Sequence, residues 1–364
     1  MMFFLIVFIF YTLVNLYLFL RGWKILPAFG GARKVYAIVF FILYSAFIIA
    51  MLGRETLPLE IVKPLYFIGT LWLAVTLYLT LYFLITGCFF GLKRFRRFRW
   101  IQVSVGYALV GVLLIAGNYR FNHPQRVEKT IVIHKDGGKY KDLKVLIFSD
   151  VHLGLSIDKK KLQKYVRLIN AEKPDVILYA GDMVDNCTRS LNQEKMYEEI
   201  NQLKAPLGMY ACLGNHEYLS GIESSREFLQ KTNVTVLVDS VVQVNNSFWI
   251  IGRDDRQGNK NRQSLEELVK QTNPAQPLIL LDHEPYNLEE AEQNDIDLQV
   301  SGHTHHGQLW PLSLIVDKVF EIGYGYKQKT NTHIYVTSGL GLWGPPLRIG
   351  TQSEYVIFNI KFRT

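Results

Sequence analysis

Hydrophobic positions follow two patterns along these 364 residues. In the first third they form long unbroken runs, at about 2–20, 35–52, 65–91 and 101–118. Each run has the length needed to cross a bilayer as a helix. The third is long enough to tilt or to extend into the interface. Runs 2–20 and 65–91 contain no charged residue. A helix apolar on every side is hard to bury in so short a chain, so these runs read as membrane spans rather than core helices. Run 2–20 has no basic residue before it and no cleavage motif ahead of Arg21, which argues against a removable signal peptide.

The pattern changes near residue 119. Residues 119–143 are polar, with a lead-in strand predicted near 129–134. From Lys144 onward, short apolar strands alternate with amphipathic helices. Strands are predicted at 144–149, 176–180, 208–213, 235–238, 248–252, 277–281, 298–301, 334–337 and 355–360, with a hairpin-like stretch near 235–251. Helices are predicted at 158–171 and 191–203. This rhythm predicts an α/β domain of two facing mixed β-sheets flanked by helices, behind a multi-span helical membrane domain. The expected divisions are 1–120 for the four spans, 121–143 for a linker and lead-in strand, and 144–364 for the α/β domain.

Charge sharpens this division. Residues 1–120 carry 12 Lys and Arg against two acids, Glu55 and Glu60, whereas residues 121–364 carry 28 against 30. The net charge of +8 is therefore +10 in the membrane part and −2 in the rest. The α/β part lacks the basic surplus that a nucleic-acid polymer requires. Arg21, Lys24, Arg33 and Lys34 follow the first span, and Lys93, Arg94, Arg96, Arg97 and Arg99 follow the third. The positive-inside rule puts both basic loops in the cytoplasm. The α/β domain is then expected on the extracytoplasmic side of a membrane, the plasma membrane by preference. No acid or histidine lies inside the spans, which argues against a transport pathway. Three cysteines, Cys88, Cys187 and Cys212, are too few for a disulfide scaffold.

Five polar clusters begin where predicted strands stop. They are Asp150-x-His152, Gly181-Asp182-x-x-Asp185, Gly214-Asn215-His216-Glu217, His283 and Gly302-His303-x-His305. Ligands in α/β folds gather beyond the carboxyl ends of strands. One Asp or His at such a place is usually a turn residue; five clusters with the same placement argue for a shared site. Carboxylate, amide and imidazole donors suit a pair of divalent ions such as Zn, Fe or Mn. Asp182 is the candidate bridging carboxylate, and Gly181 permits close backbone approach. Asn215 offers a neutral oxygen, and His283, His303 and His305 offer imidazoles. On an extended chain Asp150 and His152 would diverge, so a turn must bring both to one ion. His216 is placed to protonate a departing oxygen, with Asp185 holding its other ring nitrogen. Glu217 is expected to brace its loop, and His306 to stay outside the ligand set.

In this order, over about 144–340, the motifs resemble the calcineurin-like metallophosphoesterase superfamily. The stretch Gly302-His303-Thr304-His305-His306-Gly307-Gln308, residues 332–341 and Pro345-Pro346-Leu347-Arg348 resemble its membrane-anchored, YkuE-like branch. The resemblance implies an α/β metallophosphoesterase domain binding two divalent metal ions, from among Mn, Zn and Fe. It implies Asp150, His152 and His305 on the first ion, Asn215, His283 and His303 on the second, and Asp182 across both. It also implies attack by a metal-bridging hydroxide, with His216 at the phosphate or leaving group and Asp185 orienting it.

The segment 309–320, Leu-Trp-Pro-Leu-Ser-Leu-Ile-Val-Asp-Lys-Val-Phe, directly follows the last ligand motif. It reads either as an interfacial rim near the bilayer or as a lid packed on its own domain. Together with four spans, it makes a lipid-linked phosphate or pyrophosphate the expected substrate and the membrane the expected partner. The alternative is a soluble nucleotide or other small phosphodiester, with the spans as a tether. A purely scaffolding role is disfavoured, because all seven expected ligands, His216 and Asp185 are present. No protein partner is indicated.

Overall fold

The computed structural model describes residues 2–27, 30–91 and 98–363. The chain forms two compact units, Met1–Tyr119 with Gly344–Pro346, and Arg120–Trp343 with Leu347–Thr364. The first is built on four helices, α1 (Met2–Trp23), α2 (Ala32–Gly53), α3 (Leu59–Gly91) and α4 (Arg99–Asn122). Each holds a stretch long and apolar enough to cross a membrane. These helices leave Leu52, Ile85 and Ile115 exposed, while Asn15 and Trp72 are buried and share a 2.8 Å hydrogen bond from Trp72 Nε1 to Asn15 Oδ1. Apolar side chains outward and polar pairs inward is the arrangement of a bundle whose solvent is lipid. The basic residues Lys93, Arg94, Arg96 and Arg97, on which part of the topology expectation rests, lie outside the described residues.

The second unit carries twelve strands among the described residues. They are β1 (Gln125–Ile133), β2 (Asp142–Phe148), β3 (Val176–Ala180), β4 (Met209–Cys212), β5 (Thr235–Leu237), β6 (Ser240–Val244), β7 (Phe248–Gly252), β8 (Leu278–Leu281), β9 (Leu298–Ser301), β10 (Gly325–Lys329), β11 (Thr332–Val336) and β12 (Glu354–Phe362). One sheet has the order β1-β12-β2-β3-β4-β5 and the other β10-β11-β9-β8-β7-β6. Both are mixed: β2 to β5 run parallel while β12 is antiparallel to β2, and β6 and β7 form an antiparallel hairpin beside parallel β7, β8 and β9.

The helices of this unit are α5 (Lys159–Ala171), α6 (Arg189–Gln193), α7 (Tyr197–Ile200), α8 (Asn215–Leu219), α9 (Ile222–Leu229), α10 (Leu265–Val269), α11 (Glu289–Gln293) and α12 (Ser313–Val319). The period-two alternation of each strand divides the core into layers. Val145 and Ile147 of β2 pack between the sheets against Ile250, Ile279, Leu281 and Val300. Leu146 and Phe148 turn the other way, onto Leu162, Tyr165, Val166 and Ile169 of α5. That helix begins at Asp158, whose Oδ1 accepts from the Lys161 amide at 2.9 Å, a side-chain cap.

The fold adds short helices that the sequence pattern did not announce, α8 to α11, and two further elements depart from it. The helix predicted at 191–203 is two short helices, α6 and α7, separated at Lys195, whose φ of 49° ends the helical run. Strand β10, a sheet edge with half-exposed residues, has no continuous apolar run to announce it.

Candidate metal centre

All five polar clusters follow the carboxyl ends of strands: Asp150 after β2, Asp182 after β3, Asn215 after β4, His283 after β8 and His303 after β9. The backbone there is unusual. Asp150 (φ 52°), His152 (φ 52°), Asp182 (φ 62°), His303 (φ 71°) and His305 (φ 48°) all occupy the left-handed region. Each such non-glycine residue costs on the order of 1–3 kcal/mol and persists only where its surroundings impose it. This turn geometry brings Asp150 Oδ1 and His152 Nε2 within 3.8 Å, where an extended chain would separate them. Gly181 (φ 85°) lies directly beneath His283: a Cβ there would stand 2.5 Å from Nδ1 of that ring.

The donors converge in two adjoining groups. In the first, His152 Nε2 lies 3.0 Å from His305 Nε2, and His305 Nε2 lies 3.4 Å from Asp150 Oδ1. In the second, Asn215 Oδ1 lies 3.3 Å from His283 Nε2 and 3.0 Å from His303 Nδ1. Asp182 stands between them, with Oδ2 at 3.6 Å from His152 Nε2 and 3.2 Å from His283 Nε2. All seven expected ligands are thus brought together, and Asp150, His152, Asp182, His283 and His305 are buried. Inward-facing imidazole nitrogens and carboxylate oxygens, packed at such separations away from water, fit divalent cations. Ligand atoms of Asp150, His152 and His305, and of Asp150, Asp182 and His283, lie mutually within 4.8 Å. A third such group, His152, Asp182 and His216, has the same spacing.

Hydrogen bonds around this shell fix its orientation. The Nδ1 of His283 donates to the carbonyl oxygen of Ala180 at 2.7 Å, which turns Nε2 toward Asp182. Asp185 Oδ1 lies 3.2 Å from His216 Nδ1 and 3.6 Å from His152 Nδ1, so one carboxylate steadies two rings. Its contact with His152 was not foreseeable from the sequence, because only the fold brings the two loops together. Glu217 is fully buried; it accepts from the amides of Gly214 at 2.7 Å, Asp182 at 3.1 Å and Val184 at 2.9 Å, and so ties two ligand loops together. His306 points away from the donors, stacked on Tyr324 with its Nε2 at 3.5 Å from Asp317. Arg348, which sequence reasoning passed over as a site residue, is completely buried and donates to the carbonyl oxygens of His305, Ser338 and Gly341 at 2.7–2.8 Å.

Without cations, charge in this shell is balanced by protons. Burial works against a charged His152, yet Asp150 and Asp185 push it up to about 10. Burial, reinforced by the charge on His283, lowers His303 to about 4. Burial, with the nearby Asp182 carboxylate, lifts Glu217 to about 7. Asp182 falls well below the ordinary carboxylate range, because the charges of His283 and His216 outweigh its burial.

Residues 143–307 match the calcineurin-like phosphoesterase family. A metallophosphoesterase of Aquifex aeolicus is 34% identical over 69% of this chain and 98% of its own length. One from Campylobacter jejuni is 27% identical over 98% of this chain and 97% of its own. Among solved structures, an NAD nucleotidase of Haemophilus influenzae aligns at 18% identity and a TM-score of 0.38, over 56% of this chain and 51% of that one. The chain spans about half the length of the solved nucleotidases it matches. The chain belongs to the calcineurin-like metallophosphoesterases. It is a metal-dependent phosphoesterase domain joined to four helices of membrane-spanning length.

Proposed function

We propose that this centre hydrolyses a phosphate ester with two divalent cations. Asp150, His152 and His305 would hold one, Asn215, His283 and His303 would hold the other, and Asp182, which stands between the two groups, would serve both. The observation that carries the reading is the position of Asp182 Oδ2, within 3.6 Å of a ring nitrogen from each donor group. Bound cations of the Mn, Zn or Fe type supply an acidified water and offset the phosphate charge. The protein's own groups do the rest. His216, held through Nδ1 by the Asp185 carboxylate and carbonyl at 3.2 and 3.1 Å, is a positioned proton donor for the departing oxygen. Asn215 contributes an oxygen without adding negative charge against the substrate.

The substrate reading favoured first is a nucleotide or other small phosphodiester reached from water, with the helices as a tether. All nine site residues belong to the unit formed by Arg120–Trp343 and Leu347–Thr364, not to the unit that carries α1–α3. A second reading, a phosphate or pyrophosphate bond in a lipid headgroup, is favoured by the exposed Trp310, Leu312 and Leu314, a few residues beyond His305. We also infer a catalytic domain at 144–364 behind the linker and lead-in strand of 121–143 and the spans of 1–120, on the extracytoplasmic face of a plasma membrane. Placement in the YkuE-like branch rests on the motifs at 302–308, 332–341 and 345–348.

Asp182→Asn in the full chain, assayed in bilayer discs against a soluble dinucleotide and against phospholipid in the same discs, tests these statements together. The variant is expected to lose metal and turnover at once. Wild-type release of phosphate-bearing product from the dinucleotide alone supports the first substrate reading, and from phospholipid alone the second. Unchanged metal content and turnover in the variant would refute the two-cation reading.

A further inference from the structure

The second unit leaves few large apolar side chains in the open. Among the described residues from Arg120 onward, those exposed are Leu219, Trp310, Leu312, Leu314, Ile315, Val319 and Trp343. Five of the seven fall within the ten residues Trp310–Val319, on α12 and the turn before it. Trp343 belongs to the same neighbourhood, because its carbonyl accepts from Gln308 Nε2 at 3.1 Å.

Helix α12 leaves apolar residues in the open that a water-facing surface helix would bury. Ser313 is buried, and Asp317, itself exposed, has Oδ1 at 3.5 Å from His306 Nε2, while Leu314 and Ile315 are 55% and 58% exposed alongside exposed Lys318. A surface helix normally buries its apolar stripe and shows its charges to water. Here the apolar stripe is outermost and two tryptophans flank it. That is the composition of segments that lie at the boundary between lipid headgroups and acyl chains. Left in water, such a cluster would be an association hazard.

The occupant follows from what else the chain carries. Helix α4 has the length and hydropathy of a membrane span and ends at Asn122, and β1 begins at Gln125. Only His123 and Pro124 intervene, a connection that can span about 10 Å at most. A bilayer that accepts α4 is therefore within reach of this unit. Cost and opportunity agree: a lipid surface is always present and removes exposed apolar area from water, at about 25 cal/mol per Å².

We propose that Trp310–Val319, with Trp343, is a membrane-docking face that sits in the headgroup–acyl boundary of the bilayer holding the chain. Docking of this face is independent of what the metal centre hydrolyses. It adds a constraint, however, because α12 begins only six residues after Gly307, the end of the turn that carries His305. The helix also adjoins the centre through Phe320, whose ring centroid lies 6.1 Å from that of His303. Seating the face in lipid would hold the centre near the bilayer surface.

The test is spin-label accessibility in the full chain, reconstituted in discs of zwitterionic phospholipid. Leu314→Cys and Ile315→Cys are labelled separately, and the signal of the unsubstituted chain is subtracted. Lys260→Cys, at an exposed position of the same unit, is the water-facing reference. Docking predicts that oxygen, which concentrates in lipid, relaxes both labels several-fold more than at Lys260, and that a water-soluble nickel complex relaxes them several-fold less. Nickel accessibility equal to that at Lys260 places the face in water and overturns the proposal. Protection from both reagents places it against protein, on this chain or a second copy, and overturns it equally.

Discussion

The guanidinium of Arg348 donates through Nη1 to the carbonyl oxygen of His305 at 2.8 Å, although the two residues lie 43 positions apart. A second nitrogen, Nη2, donates to the carbonyls of Ser338 and Gly341 at 2.7 Å, and the amide of Gly341 in turn donates to the carbonyl of Asp150 at 3.1 Å. One buried cation therefore ties a ligand loop from the second sheet to a ligand loop from the first. Burial lowers its pKa to about 10, so it is still charged at neutral pH.

Arg348→Met is expected to loosen the group Asp150, His152 and His305 more than the group Asn215, His283 and His303. Loss of an interaction that orients metal ligands typically costs about 10–100-fold in metal affinity. Metal content per chain, measured by elemental analysis after dialysis, should fall toward one ion, and Arg348→Lys should recover part of the loss. Two tightly held ions in Arg348→Met would show that the carbonyl cage does not position the ligands.

His216→Ala separates proton donation from metal binding. Turnover of esters with poor leaving groups should fall by about 10²–10⁴-fold, the usual contribution of a general acid. Esters whose leaving groups need no proton should be much less affected. Asp185→Asn is expected to follow the same leaving-group dependence while also weakening metal retention, because Asp185 faces His152 as well as His216. Equal losses on both kinds of ester in His216→Ala would remove the assigned role.

Gly181→Ala introduces a Cβ at 2.5 Å from His283 Nδ1, in a backbone of φ 85°. The strain should destabilise the fold by about 1–3 kcal/mol and displace the ring that bonds Ala180. A lowered melting temperature with weaker metal binding is the expected result. At Gly30, of similar φ, a Cβ would meet no atom of the described residues within 4 Å, so Gly30→Ala serves as the control for backbone strain alone.

Metal removal should destabilise the chain more at high pH than at low pH. In the metal-free fold, His152 is raised from 6.5 to about 10. Its proton therefore stabilises that fold fully below pH 6.5 and progressively less as pH rises toward 10. Cation binding has the opposite dependence, because ligands must give up protons to bind. The gap in melting temperature between loaded and metal-free chain should widen from pH 6 to pH 9, as read by calorimetry. A gap that narrows over this range would contradict the proton-for-cation exchange.

Much of this protein was legible in its sequence, because the relevant signals are local. Unbroken apolar runs marked α1 to α4, since length and polarity alone decide whether a helix can live in lipid. Short apolar runs marked β2, β3 and β8. The donors Asp150, Asp182, Asn215, His283 and His303 were visible because each stands where an apolar strand ends. The break at Lys195 and the edge strand β10 were not visible, because neither carries a distinctive apolar pattern.

Only the tertiary structure decided how these pieces meet. The left-handed turns at Asp150, His152 and His305 and the placement of Asp182 between two groups of nitrogens depend on two sheets facing each other. The same holds for the joint grip of Asp185 on two rings and the reach of Arg348 between loops. The outward face of α12 is likewise invisible in sequence, where an apolar segment announces burial without saying whether protein or lipid provides it. The physical reason is common to all of them. A residue's type and its neighbours along the chain fix what it can bond to, whereas the groups that arrive from a hundred positions away fix what it does bond to.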